Sequence, residues 1–217
     1  MFVGHLAVAL GAKRAAPRVP LAVLVAAAFA LDLLWPLMLL AGIESVRIDP
    51  GNTAFTPLAF DHYPWSHSLA TVLGWSVVGG ALAMTRLKTL HAGVVVGALV
   101  ASHWLLDVLV HRPDLPIWPA GPLVGLGLWD SIPATFLVEG ALLVAGVVLY
   151  RRAHPARDAA GRWAFVALIA LVGIIWISGP FAPPPPSALA VALVGLSMWL
   201  FPLWAHWFDH DRLPVGS

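Results

Sequence analysis

Six long apolar runs, separated by short segments that carry most of the charge, constrain this chain more than any other feature. Val19–Ile43 is apolar except for Asp32, and Ser68–Thr85 carries no charge. Leu90–Val110 is apolar except for His91, His103 and Asp107, and Leu123–Tyr150 except for Asp130 and Glu139. Trp163–Gly179 and Ser187–Trp204 complete the set. Each run has about 17–28 residues, the length a helix needs to cross roughly 30 Å of hydrocarbon at 1.5 Å per residue. Only 11% of the 217 residues are charged, under half the usual share, so the chain cannot cover itself with a charged surface. The expectation is an all-α integral membrane protein, one domain over 1–217. It has about six transmembrane helices and a short N-terminal helix over Met1–Ala12. Residues 1–150 form the core of any site, and 162–208 add two apolar helices. Pro36 and Pro133 are expected to kink their helices, and Pro202 to mark the approach to the last helix's end. Trp35, Trp65, Trp118, Trp129, Trp163 and Trp204 fall near proposed ends, where interfacial anchors sit.

Charge sidedness orients the spans. Lys13, Arg14, Arg18, Arg86, Lys88, Arg151, Arg152, Arg157, Arg162 and Arg212 all fall on one side of an alternating topology. Arg47 and Arg112 fall on the other. By the positive-inside rule the first group is cytoplasmic, as are both termini. The 44–66 and 111–122 loops and the turn around Pro183–Pro186, a stiff extended connector, then face outward. Lys13 and Arg14 follow the first apolar stretch, whereas a signal peptide places its basic residues first, so the segment reads as a retained helix. No cysteine is present, which excludes disulfides and thiolate metal sites. No basic stripe with interleaved aromatics appears, which argues against nucleic acid as a partner.

The polar residues inside the runs carry the functional signal. His103, Asp107 and His111 follow one another in steps of four, and each step advances a helix by about 40°, so the three share a stripe. A lone intramembrane histidine is most often a hydrogen-bonded packing residue. Three ionisable groups on one stripe are costly in hydrocarbon unless paired or solvated, and point to a metal or catalytic role. Measured from the basic clusters, Asp32 and His103 lie roughly 20 Å along their helices, Glu139 about 18 Å and Asp107 about 27 Å. His67 enters from the outer end of its span, and His5 sits about 12 Å above Lys13 if its segment is helical. All fall in one slab between midplane and outer face. Carboxylates gathered there would repel and take up protons, and one or two divalent cations would offset their charge. His with Asp or Glu and no Cys suits zinc, or manganese or iron where more oxygens bind. Glu139 is a ligand or the general base that takes a proton from water.

In Phe60–Ser68, Pro64 and Trp65 read as a turn at the interface, with Ser66 or Ser68 capping the next helix. His67 is a candidate ligand there, and Asp61 and His62 are candidate ligands or supports behind one. His206 and His210, with Asp209 and Asp211, read as a solvated helix terminus, and Asp114 and Asp130 as hydrated interfacial residues.

Gly4-His5, Asp32, His67-Ser68 and Ser102-His103 with Asp107 resemble, over roughly residues 1–150, the bacterial inner-membrane metal-dependent hydrolases of the LexA-regulated type. That family is similar in ligand order to zinc-dependent phospholipase C and the related single-strand nucleases. The resemblance implies metal binding by His5, Asp32, His67, His103, Asp107 and His111, with phosphoester hydrolysis as one candidate reaction. The soluble enzymes begin with a Trp whose amino terminus binds metal, whereas this chain begins Met1-Phe2. Their last ligand pair, a His followed four residues on by an acid, has no clear counterpart here, although Glu139 could replace part of it.

The resulting expectation is a multi-pass hydrolase of the bacterial inner membrane, with Asp107 and Glu139 as catalytic residues. Its substrate would be a lipid or lipid-linked phosphoester, or a small molecule, taken from the outer-leaflet side. The alternative is an ion or proton transporter built on the same groups. The concentration of polar groups in the first four runs favours a fixed site over a pathway.

Overall fold

The computed structural model describes residues 1–156 and 158–209, so Arg157, His210, Asp211 and Arg212 lie outside the described residues. The chain begins with α1 (Phe2–Ala15), then α2 (Leu21–Ala28) and α3 (Ala30–Leu40). A hairpin of β1 (Ser45–Ile48) and β2 (Leu58–His62) leads into the short α4 (Pro64–His67). The long helices α5 (Leu69–Leu87) and α6 (Leu90–Val110) follow, then a second small hairpin, β3 (Leu115–Pro116) with β4 (Leu123–Val124). The remainder is α7 (Ile132–Ala153), α8 (Ala159–Ser178), α9 (Ala188–Leu196) and α10 (Leu200–Asp209).

Local chemistry explains most of the helix starts. Ser68, Thr89, Ser131, Asp158 and Ser187 precede α5 to α9, and each side-chain oxygen accepts from a backbone N–H of the first turn. These bonds satisfy donors that have no partner within the helix. Five helices are long and apolar enough to cross a membrane, or six if the bent pair α2–α3 is one span. They suggest a multi-pass membrane protein.

Several expected boundaries shift. The fourth apolar run begins its helix at Ile132 rather than Leu123, because Leu123 and Val124 pair with β3 and Leu128–Asp130 forms a single 3-10 turn. Pro133 therefore stands in the first turn of α7, where its missing N–H costs nothing, and does not kink it. The bend in the first span, 56°, falls at Phe29, seven residues before Pro36. Pro202 lies near the start of α10, after a 3-10 turn over Ser197–Trp199, and the last helix runs on to Asp209. Trp35 is buried inside α3 and is not an end anchor.

Packing sets the positions of the helices. α5 lies against α6, where Gly80 and Gly93 face each other so closely that a Cβ on either would stand 2.8 Å from the other's carbonyl oxygen. Small residues allow such approach between apolar helices, which must associate by packing where water gives no drive. α1 packs on α7, α2 on α10, and α3 on α9.

Asp209 is not a solvated terminus. Its carboxylate accepts from Lys13 Nζ at 2.8 Å, from Tyr150 Oη at 2.8 Å and from the Leu21 N–H at 3.0 Å. This buried clasp ties α10 to α1, α2 and α7.

Candidate metal centre

The cluster is assembled by four elements. α1 contributes His5, α3 contributes Asp32, α4 contributes His67, and α6 contributes His103 and Asp107. On α6 the four-residue step places His103 Nε2 3.1 Å from Asp107 Oδ2. Asp32 Oδ1 lies 3.7 Å from both His67 Nε2 and His103 Nε2, and His67 Nε2 is 4.0 Å from Asp107 Oδ2. On the other side of the same carboxylate, Asp107 Oδ1 is 3.2 Å from His5 Nε2 and accepts from the Met1 amino group at 2.5 Å. His5 and His103 stack, with ring centroids 3.6 Å apart. Donor atoms of His5, His103 and Asp107, and of Asp32, His67 and His103, lie within 4.8 Å of one another. Either set could hold a metal ion. Ligands at about 2.0–2.1 Å around a tetrahedral zinc would stand about 3.3 Å apart, close to the separations seen.

The imidazole tautomers follow from the outer bonds. His103 Nδ1 is 2.7 Å from the Ala28 carbonyl oxygen, which can only accept, so Nδ1 carries the hydrogen. This contact sits at the α2–α3 bend, and a side chain inserted into a helical ladder is a recognised cause of kinking. His67 Nδ1 is 2.7 Å from Ser66 Oγ, and Ser66 Oγ is 2.6 Å from Glu44 Oε2. A carboxylate accepts only, so the Ser66 hydroxyl donates to Glu44 and must receive its bond from His67 Nδ1–H. Glu44 Oε1 also accepts the N–H groups of Trp65 and Ser66, at 2.7 and 2.8 Å, which fixes the buried carboxylate. As neutral imidazoles, both histidines thus turn an Nε2 lone pair inward.

Lone pairs facing carboxylates repel unless a cation lies between them. Although His103 Nε2 and His5 Nε2 are only 3.1 and 3.2 Å from Asp107 oxygens, neither is aligned for a hydrogen bond. An imidazolium at His103 would direct its Nε2–H at Asp107. His67 Nε2 and His103 Nε2 each stand 3.7 Å from Asp32 Oδ1, a spacing that a shared cation would fit.

Other expected residues lie elsewhere. α6 ends at Val110, and His111, its C-cap (φ −65°, ψ 143°), still donates its N–H to the Asp107 carbonyl, so its backbone keeps the stripe position while its ring is held elsewhere. His111 Nδ1 binds Asp114 Oδ1 at 2.9 Å, and the ring packs on Phe60 and Trp129. Among the described residues His111 joins neither three-residue set. Asp114 is accordingly engaged and not merely hydrated, and Tyr63 Oη also donates to it at 3.2 Å. Burial, and then the Asp114 charge, push the Tyr63 hydroxyl well above the usual tyrosine range, so it stays a donor. Asp61 lies exposed on β2 and pairs across the hairpin with Arg47 at 3.2 and 3.3 Å, and neighbouring His62 is exposed, so neither supports the cluster. Glu139 is fully buried on α7. Its Oε1 accepts from Trp129 Nε1 at 3.4 Å, and Oε2 has no hydrogen-bond partner among the described residues.

Ser66, expected only as a helix cap, and Glu44, to which the sequence assigns no role, together hold His67 from behind. The one available signal was a carboxylate at the end of an apolar run, with no fixed spacing to His67. Trp129, expected as an interfacial anchor, also joins Glu139 to His111.

No family model, no curated protein and no solved structure matches the chain. Fold and site together define a helical, apolar protein with a buried His/Asp cluster able to hold a metal ion.

Proposed function

We propose that this protein is a membrane-embedded, metal-dependent hydrolase of lipid or lipid-linked phosphoesters. The observation that carries the reading is the inward aim of the His67 and His103 lone pairs, each held from behind by an Nδ1 bond. With Asp32 they form one three-residue set of the nitrogen and oxygen donors that zinc prefers, and His103 with His5 and Asp107 forms a second. The resemblance to the LexA-regulated inner-membrane hydrolases supports the same assignment. By the positive-inside rule the basic ends are cytoplasmic, which puts the cluster in the outward half of an inner-membrane protein.

When bound, the metal supplies a Lewis acid that lowers the pKa of water and polarises a phosphoryl oxygen. Glu139 Oε2, buried and unpartnered, takes the proton of the attacking water. The water oxygen bonds to phosphorus, the ester P–O bond breaks, and the proton held on Glu139 returns to the leaving alkoxide. Asp107 spans the site, with one oxygen towards His67 and His103 and the other towards His5.

The test is hydrolysis of a phospholipid panel by protein in nanodiscs, with metal content measured in parallel. Wild type is expected to release product, and His103→Ala to lose metal and activity together. Glu139→Gln is expected to keep metal and lose about a hundredfold or more in kcat, the usual weight of a general base. Absence of hydrolysis, together with ion flux in liposomes that depends on His103, would establish transport instead.

A further inference from the structure

α5 and the bent α2–α3 arm both contact α6 but pack little against each other. Between them runs an apolar cleft of about 580 Å³, within the range of ligand-binding pockets. Ala26 and Leu34 form one wall, Gly79 and Leu82 the other, and Val96 and Val100 the floor. Leu82 is largely exposed, so the cleft opens sideways, as a chain entering from a bilayer requires.

One observation connects this cleft to the cluster. Val96, Val100, His103 and Asp107 are spaced by four, three and four residues, so the floor continues up the same face of α6 to the site.

We infer that the cleft is the hydrocarbon-chain subsite of the enzyme. It takes one acyl chain of a glycerophospholipid, laid along α5, with the phosphoester at the His103 end of the α6 stripe. The inference rests on the hydrolase reading. Polarity matches along its length: the phosphoester meets the polar cluster end, and methylenes meet an almost wholly apolar lining. From Trp75 to Arg86 the α5 wall is about 16 Å long at helical rise, room for most of an acyl chain. Arg86 closes the far end; it is exposed and forms no ion pair among the described residues, so its head group reaches water while its stem lies on the wall.

The experiment uses phosphatidylglycerol with a photoactivatable diazirine in one acyl chain, in nanodiscs, and maps cross-links by mass spectrometry. Wild type is expected to be labelled within the cleft. The double variant Ala26→Phe/Gly79→Phe is expected to lose about tenfold of that labelling, while Val77→Phe, on an exposed part of α5 outside the cleft, retains it. Selectivity for a long-chain over a short-chain substrate is expected to fall by at least about tenfold in the double variant, the discrimination that a few methylenes provide in an apolar pocket. If the double variant does not fold, Leu82→Trp, at a more exposed position, fills the same space. Labelling and chain-length selectivity equal to wild type in a folded, filled variant overturn the inference and leave the hydrolase reading intact. Labelling lost on filling, with no lipid hydrolysed by wild type, retains the cleft as a chain site and overturns the hydrolase reading.

Discussion

His103 donates through Nδ1 to the Ala28 carbonyl oxygen at 2.7 Å, and this bond turns the other ring nitrogen towards Asp107. A backbone carbonyl at a helix bend thereby sets the tautomer of a candidate ligand one helix away. Partners behind metal-binding histidines commonly work in this way, fixing ring orientation and raising basicity.

The Glu44–Ser66–His67 chain is expected to act on affinity without touching the metal. Ser66→Ala removes the acceptor for His67 Nδ1 and should weaken zinc binding by about ten- to hundredfold. Ser66→Thr keeps the hydroxyl and should recover most of the loss. Competition with a fluorescent chelator measures both, and an Ala variant that binds as tightly as wild type would remove the chain from the account.

The Lys13–Asp209 clasp is expected to stabilise the fold alone. Lys13→Met leaves the buried Asp209 carboxylate without its cation, and breaking one half of a buried pair costs on the order of 3 kcal/mol. Thermal unfolding in detergent should shift down clearly while zinc affinity holds, because the clasp sits at the basic end, away from the cluster. Loss of zinc affinity in the folded variant would show the two ends to be coupled.

Gly146 sets how closely α1 approaches α7, since a methyl group there would collide with the Ala7 carbonyl. Gly146→Val should push α1 outward, carry His5 away from Asp107, and lower both stability and metal content. Gly74→Ala, where a Cβ meets nothing within 4 Å, should change neither. Full metal content in a folded Gly146→Val protein would argue that His5 is dispensable.

The helical runs and the depth of their polar residues were readable because hydropathy and helical rise are local properties. That is why Asp32, His67, His103 and Asp107, on three different elements, could be grouped from sequence. His111 keeps its backbone place on the stripe, but its ring pairs with Asp114 beyond the helix end, which Pro113, two residues on, marks. Ser131 before Pro133 likewise marked the true start of α7. The bend at Phe29 had no such mark. It coincides with a tertiary contact, the His103 bond to Ala28, which no local pattern encodes. The partnership of Glu44 with Ser66 depends in the same way on how the loop after α3 folds back over α4.

The most direct test of the cluster is the zinc K-edge absorption spectrum of protein purified without chelators and loaded with zinc. The account predicts nitrogen and oxygen neighbours at about 2.0–2.1 Å with imidazole scattering beyond them, and loss of that pattern in Asp107→Asn. A protein that binds no zinc, or an Asp107→Asn spectrum identical to wild type, would contradict it.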